Sequence, residues 1–104
     1  MGKSLINIAL FGLGRIGQMH AENLLKHKSF NLKYVYDIDR KKIKKLSKIY
    51  NCHGIKDPEV ACKDKSIDVI FVATSTSTHL RFLTQAVKNK KIVFCEKPLD
   101  WNLK

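Results

Sequence analysis

The chain has 104 residues, enough for one hydrophobic core and too few for two. With 44% hydrophobic and 28% charged residues it is not a disordered tail, and its apolar blocks, Leu5 to Phe11 and Val69 to Ala73, are too short for a membrane span or a secretory leader, so a soluble, cytoplasmic protein is expected. Its 20 basic residues against 9 acidic ones leave a net charge of +11, concentrated at Arg40, Lys41, Lys42, Lys44, Lys45 and Lys48. Lysine dominates there and no aromatic is interleaved, so a solvated helix face is the stronger reading and a nucleic-acid surface the weaker one.

Leu5 to Phe11 is an apolar run stopped by Gly12, the pattern of a buried strand. A helix is expected from within Gly14 to Gly17 to about Lys28, with Ile16, His20 and Leu24 inward and Ala21 and Leu25 widening that face. Leu32 to Tyr36 reads as a second strand ending at Asp37. A second helix is expected from Arg40, capped by Asp39, with Ile43, Leu46 and Tyr50 inward. His53-Gly54-Ile55 suits a very short edge strand, and Pro58 suits the first turn of a short helix to about Lys63. Ile67 to Ala73 is a dense buried-strand pattern. Thr74 to Thr78 then lead into a helix from about His79 to Asn89, with Leu80, Leu83 and Val87 inward. Ile92 to Cys95 forms the last strand before Glu96-Lys97-Pro98. Strands alternating with helices predict an α/β, Rossmann-type doubly wound parallel sheet in three α/β/α layers, occupying residues 1–104 as one domain.

Cys52, Cys62 and Cys95 show no CxxC spacing, so reduced thiols are expected, with Cys95 a small core residue. Cys52 and His53 resemble half a metal site without a second pair, and no metal is expected.

The strongest local motif is Gly12-Leu13-Gly14-Arg15-Ile16-Gly17, a GxGxxG between a strand and a helix. Gly12 permits the tight turn, Gly14 lets backbone approach a diphosphate, and Gly17 allows close packing of the helix. The amides at the helix start, including those of Leu13, Arg15 and Ile16, are then candidate anion donors. Asp37, 20 residues after Gly17, ends the second strand where a carboxylate can accept from adenosine ribose hydroxyls. That charge favours NAD as cofactor; Arg40, close enough to reach a 2′-phosphate, keeps NADP open. Ala73 ends the fourth main strand and Thr74, Ser75, Thr76 and His79 follow it at the carboxyl end, where these residues can face the nicotinamide half while the hydroxyls there can also cap the next helix. A hydrolase reading of these hydroxyls fails for want of GxSxG and an acid partner. Pro98 holds Lys97 extended, which can aim its ammonium at a reacting oxygen, although from the residues alone a solvated surface lysine is the commoner reading.

In order and spacing, Gly12 to Gly17, Asp37, Thr74 to His79 and Glu96-Lys97-Pro98 resemble the glucose-fructose oxidoreductase/inositol dehydrogenase family, called Gfo/Idh/MocA, and most closely its inositol 2-dehydrogenase branch. The resemblance spans nearly the whole chain. It implies that Lys97 lies beside the substrate hydroxyl and nicotinamide as the catalytic lysine, with Glu96 and Pro98 shaping its surroundings. It also implies reversible hydride transfer between NAD(P) and a cyclic polyol or sugar. Ser75 departs from the family, which commonly has a proline there. Glyceraldehyde-phosphate dehydrogenases share the glycine loop but not the EKP ending.

Family members continue into a second α/β domain that supplies an aspartate and a histidine. That substrate domain is expected to be absent here, leaving a truncated domain with little or no turnover and His20, His27, His53 and His79 not replacing the histidine. A non-catalytic dinucleotide-binding module is therefore the alternative reading. A homo-oligomer is compatible with either.

Overall fold

The computed structural model describes residues 5–73 and 88–95. In chain order these form β1 (Ile6–Phe11), α1 (Arg15–Leu25), β2 (Phe30–Tyr36), α2 (Arg40–Tyr50), β3 (His53–Gly54), α3 (Glu59–Lys63), β4 (Val69–Val72) and β5 (Ile92–Cys95). The five strands form one sheet in the order β3-β2-β1-β4-β5, and every pairing is parallel. The chain moves outward from β1 through β2 to β3, then crosses back to β4. Strand order therefore reverses beside β1, and that reversal opens a crevice at the strands' carboxyl ends.

Two cores flank the sheet, because successive side chains on a strand point to opposite faces. Ile8 and Leu10 of β1 join Leu32, Val35 and Phe71 beneath Ala21 of α1 and Ile43, Leu46 and Tyr50 of α2. Ala9 and Phe11 join Ile70 and Val72 beneath Ala61 and Cys62 of α3. This is the expected three-layer Rossmann-type α/β/α arrangement. One irregularity adjusts the register: Ile8 pairs with Leu32 but Ala9 pairs with Tyr34, so Lys33 is an extra residue in β2. The bulge lets both Leu32 and Val35 face the α1/α2 core despite their odd spacing.

The helices begin and end where local chemistry directs. Asp39 caps α2, its side chain accepting from the Lys41 amide at 2.9 Å, and Asn51 closes the helix in the left-handed region at φ 56°. Asp57 accepts from the Glu59 amide at 3.0 Å ahead of α3, and Pro58 leads that helix with φ −62°.

Four expectations need correction. α1 stops at Leu25 rather than near Lys28, and β2 starts at Phe30 rather than Leu32. The inward face of α1 is Gly17, Ala21 and Leu24, while Ile16 and Leu25 are 45% and 47% exposed. Backbone contact at Gly17 sets the helix's rotation and overrides the larger apolar stripe. The strand expected over Ile67 to Ala73 is confined to Val69–Val72, with Ile67 buried outside it. The helix expected from His79 lies, up to residue 87, outside the described residues, as does the core placement of the Cys95 side chain.

Candidate functional site

The last rungs of the sheet draw three strand ends together. The Phe11 carbonyl accepts from the Ala73 amide at 2.7 Å, and the Gly12 amide donates to the Tyr36 carbonyl at 2.7 Å. The chain then turns at Gly12, whose φ of 110° strains any residue with a side chain. Leu13 drops its side chain into the core, fully buried, and α1 starts directly after Gly14. A Cβ on Gly17 would overlap the Gly12 carbonyl oxygen outright and sit 2.8 Å from its carbon, with the Ala73 methyl 3.8 Å away. Gly12 and Gly17 are thus glycines because the protein's own backbone requires it.

Gly14 differs from both. Its φ of −76° and ψ of −167° are open to any residue, and among the described residues a Cβ there would meet no protein atom within 4 Å. The space in front of it is open, no side chain caps α1, and the first turn of α1 has no acidic residue. Amides left without partners at a helix start carry partial positive charge, so this end of α1 suits an anion. The residues present fit a dinucleotide's diphosphate: a helix terminus, with a Cβ-free approach at Gly14. Arg15 and Ile16 stand exposed on that first turn.

Asp37 stands at the end of β2, half-buried, and bridges to the glycine loop. Its Oδ2 accepts from the Leu13 amide at 2.7 Å and its Oδ1 from the Asp39 amide at 2.8 Å. Each carboxylate oxygen keeps a lone pair for a further donor. Gln18 reaches back from α1, its Nε2 donating to the Leu13 carbonyl at 2.9 Å. Sequence reasoning singled out Asp37 for a ribose but missed both its tie to Leu13 and the part of Gln18. The available signal was an amide side chain one residue past the last glycine.

The structure thus brings Gly12 to Gly17, Asp37 and Ala73 to one end of the sheet. Arg40 sits exposed on the first turn of α2, on the lip of a groove of about 350 Å³ shared with Ile43, Lys44, Ser47, Gly54 and Lys56. Thr74, Ser75, Thr76, His79, Glu96, Lys97 and Pro98 lie outside the described residues. A larger cavity of about 460 Å³ opens at the opposite, amino end of the strands, between Asn31, Lys33, His53 and Ser66. Its polar groups are engaged with one another: Asn31 donates to Asn7, Asn7 to the Ser66 carbonyl, and Lys33 to Asp64 and Ser66. Among the described residues no group of three metal-ligating side chains gathers, and no helix is long and apolar enough to cross a membrane.

Residues 6–104 match the family model described as GFO_IDH_MocA, an oxidoreductase family with an NAD-binding Rossmann fold. The chain belongs to that family. As a Gfo/Idh/MocA domain it is an NAD(P)-binding domain. Its relatives include the myo-inositol 2-dehydrogenase of Thermotoga maritima, 36% identical over 99 residues, or 94% of this chain and 30% of the relative. The NAD(+)-dependent scyllo-inositol 2-dehydrogenase of Bacillus subtilis is 32% identical over 94% of this chain and 29% of its own length. A scyllo-inositol dehydrogenase from Lactobacillus casei, solved with bound NAD(H) and scyllo-inositol, is 27% identical with a TM-score of 0.83, over 91% of this chain and 28% of that one. The chain thus spans about 30% of the length of the curated relatives it matches.

Proposed function

We propose that this domain holds the cofactor of a dehydrogenase that moves hydride between NAD and an alcohol carbon of a cyclic polyol or sugar. The observation that carries the reading is Gly14. Neither backbone conformation nor packing among the described residues asks for glycine there, so the missing Cβ suits an approaching ligand, and a diphosphate against the α1 amides is the group whose charge and width fit. In this reading the loop Gly12-Leu13-Gly14-Arg15-Ile16-Gly17 receives the diphosphate. Asp37 accepts from the adenosine ribose and disfavours a 2′-phosphate, so NAD is preferred over NADP even with Arg40 nearby. Ala73, Thr74, Ser75, Thr76 and His79 would line the nicotinamide half.

When bound, the cofactor supplies the hydride acceptor and donor. The chain's own contribution is to hold and orient it, and Lys97, flanked by Glu96 and Pro98, would donate a hydrogen bond to the substrate oxygen as charge develops there. The polyol class is drawn from the inositol dehydrogenases among the relatives. The remaining substrate contacts and the proton-transferring group would come from a second domain, as in the longer relatives.

Titration with NADH and NADPH, followed by nicotinamide fluorescence, tests the binding. Tighter binding of NADH is expected, and a folded protein that ignores both would end the proposal. NAD reduction with myo-inositol, scyllo-inositol and glucose tests the substrate class. A binding module without chemistry of its own is the second reading, and binding without reduction of NAD by any of the three substrates supports it.

A further inference from the structure

Gly14 is the residue of the loop with the least to hold it: it has no side chain, and its surroundings are open. An unpinned glycine samples more backbone conformations than any other residue, so amides on either side of it would not be aimed without outside help. Gln18 supplies that help twice. Its side-chain Nε2 donates to the Leu13 carbonyl at 2.9 Å, and its backbone amide donates to the Gly14 carbonyl at 2.9 Å. Each peptide unit is planar and trans, so fixing a carbonyl also fixes the direction of the N–H across the bond. The side chain of Gln18 therefore orients the Gly14 N–H, and its backbone orients the Arg15 N–H. On the other side, Asp37 fixes the Leu13 N–H at 2.7 Å, and with it the Gly12 carbonyl against which Gly17 packs.

We propose that Gln18 is a positioning residue for diphosphate binding, its side chain holding the Leu13–Gly14 peptide so that the Gly14 N–H is aimed before the ligand arrives. This rests on the dinucleotide reading and adds a residue to it. Preorganised donors bind more tightly because the ordering cost is met during folding. The fourth α1 residue thus acts through the loop without touching the ligand.

The discriminating pair of ligands is ADP, which carries the diphosphate, and adenosine, which lacks it. In Gln18→Leu, which keeps the side chain's bulk and removes its donor, ADP affinity measured by calorimetry should fall about fivefold, the worth of one typical hydrogen bond, while adenosine affinity stays at the wild-type value. Gln18→Glu, which sets a carboxylate against the Leu13 carbonyl, should lose more ADP affinity than Gln18→Leu. Unchanged ADP binding in both variants overturns the proposal. So does an equal loss for ADP and adenosine, which would mark Gln18 as a merely structural residue. A wild-type measurement covers variants that do not fold: the Gln18 side-chain amide resonances should shift on addition of ADP and not of adenosine, and their indifference to ADP overturns the role. Wild-type protein that binds neither ADP nor NADH overturns the dinucleotide reading itself, a result distinct from loss of the Gln18 role alone.

Discussion

At the scale of single residues the three glycines of one motif separate into two kinds. Gly17 is locked by contact with the Gly12 carbonyl, whereas Gly14 faces open space with an ordinary backbone conformation. Gly17→Ala must push α1 off β1, and overpacking of that kind costs about 1–3 kcal/mol or more, which thermal denaturation would register as a clear drop. Gly14→Ala should leave stability unchanged or raise it by about 0.5 kcal/mol, since alanine narrows the unfolded ensemble. It should nevertheless weaken NADH binding at least about tenfold if, as proposed, the diphosphate approaches where the new methyl would stand. Loss of stability at Gly14, or unaltered NADH affinity, would refute the distinction. The motif could be read from sequence because its requirements are local. The hydrogen bond from Leu13 to Asp37 joins residues 24 apart and the Gln18 contact depends on the loop's curl, so neither is written in spacing.

At the scale of elements, boundaries and faces show where tertiary contact overrides pattern. α2 reads cleanly, since Ile43, Leu46 and Tyr50 are its only large apolar stripe and all three are buried. α1 carries several overlapping stripes, and the one chosen holds the smallest residues, Gly17 and Ala21, because the glycine contact fixes the rotation. His20 then stands at the flank, its ring 4.6 Å from that of Phe71. The stability of α2 itself has an exposed weakness. Arg40, Lys41 and Lys42 crowd its positive dipole end, with no acid in the first turn, so the Asp39 cap carries the whole terminus. Asp39→Ala should cost about 1 kcal/mol in urea denaturation, and moderate salt should raise wild-type stability by screening those lysines. A cost indistinguishable from zero would show that the cap is dispensable.

At the scale of the whole molecule, the parallel order of the sheet followed from alternating strand and helix patterns, but the device that ties its amino end together did not. The segment from Asn51 to Lys65 reads in sequence as no more than a very short edge strand and a short helix, yet Asp64 within it gathers Lys33 at 2.8 Å, the Tyr34 hydroxyl at 2.6 Å and the Ser66 amide and hydroxyl at 2.8 Å each. Lys91, just before β5, donates to the Asp64 and Ile67 carbonyls. One carboxylate thus links β2 to the turn before β4, and the backbone beside it is tied to the approach to β5. Its donors, Lys33 foremost and then Tyr34, hold the Asp64 carboxyl below its ordinary value of 3.8. The hydrogen bond to Asp64, then burial, then that negative charge push the Tyr34 hydroxyl up from 10.0 to about 12. The signs follow from which form folding favours. A depressed carboxyl contributes stability that is present above its unfolded value and lost as pH falls below about 4, toward the folded value. A raised phenol contributes stability that is present below pH 10 and lost as pH climbs to about 12. Urea midpoints should therefore fall between pH 5 and pH 3 more steeply in the wild type than in Asp64→Asn. Tyr34→Phe should remove part of the decline above pH 10. Acid profiles that run parallel in wild type and Asp64→Asn would mean that the carboxylate is not what holds the sheet's amino end together.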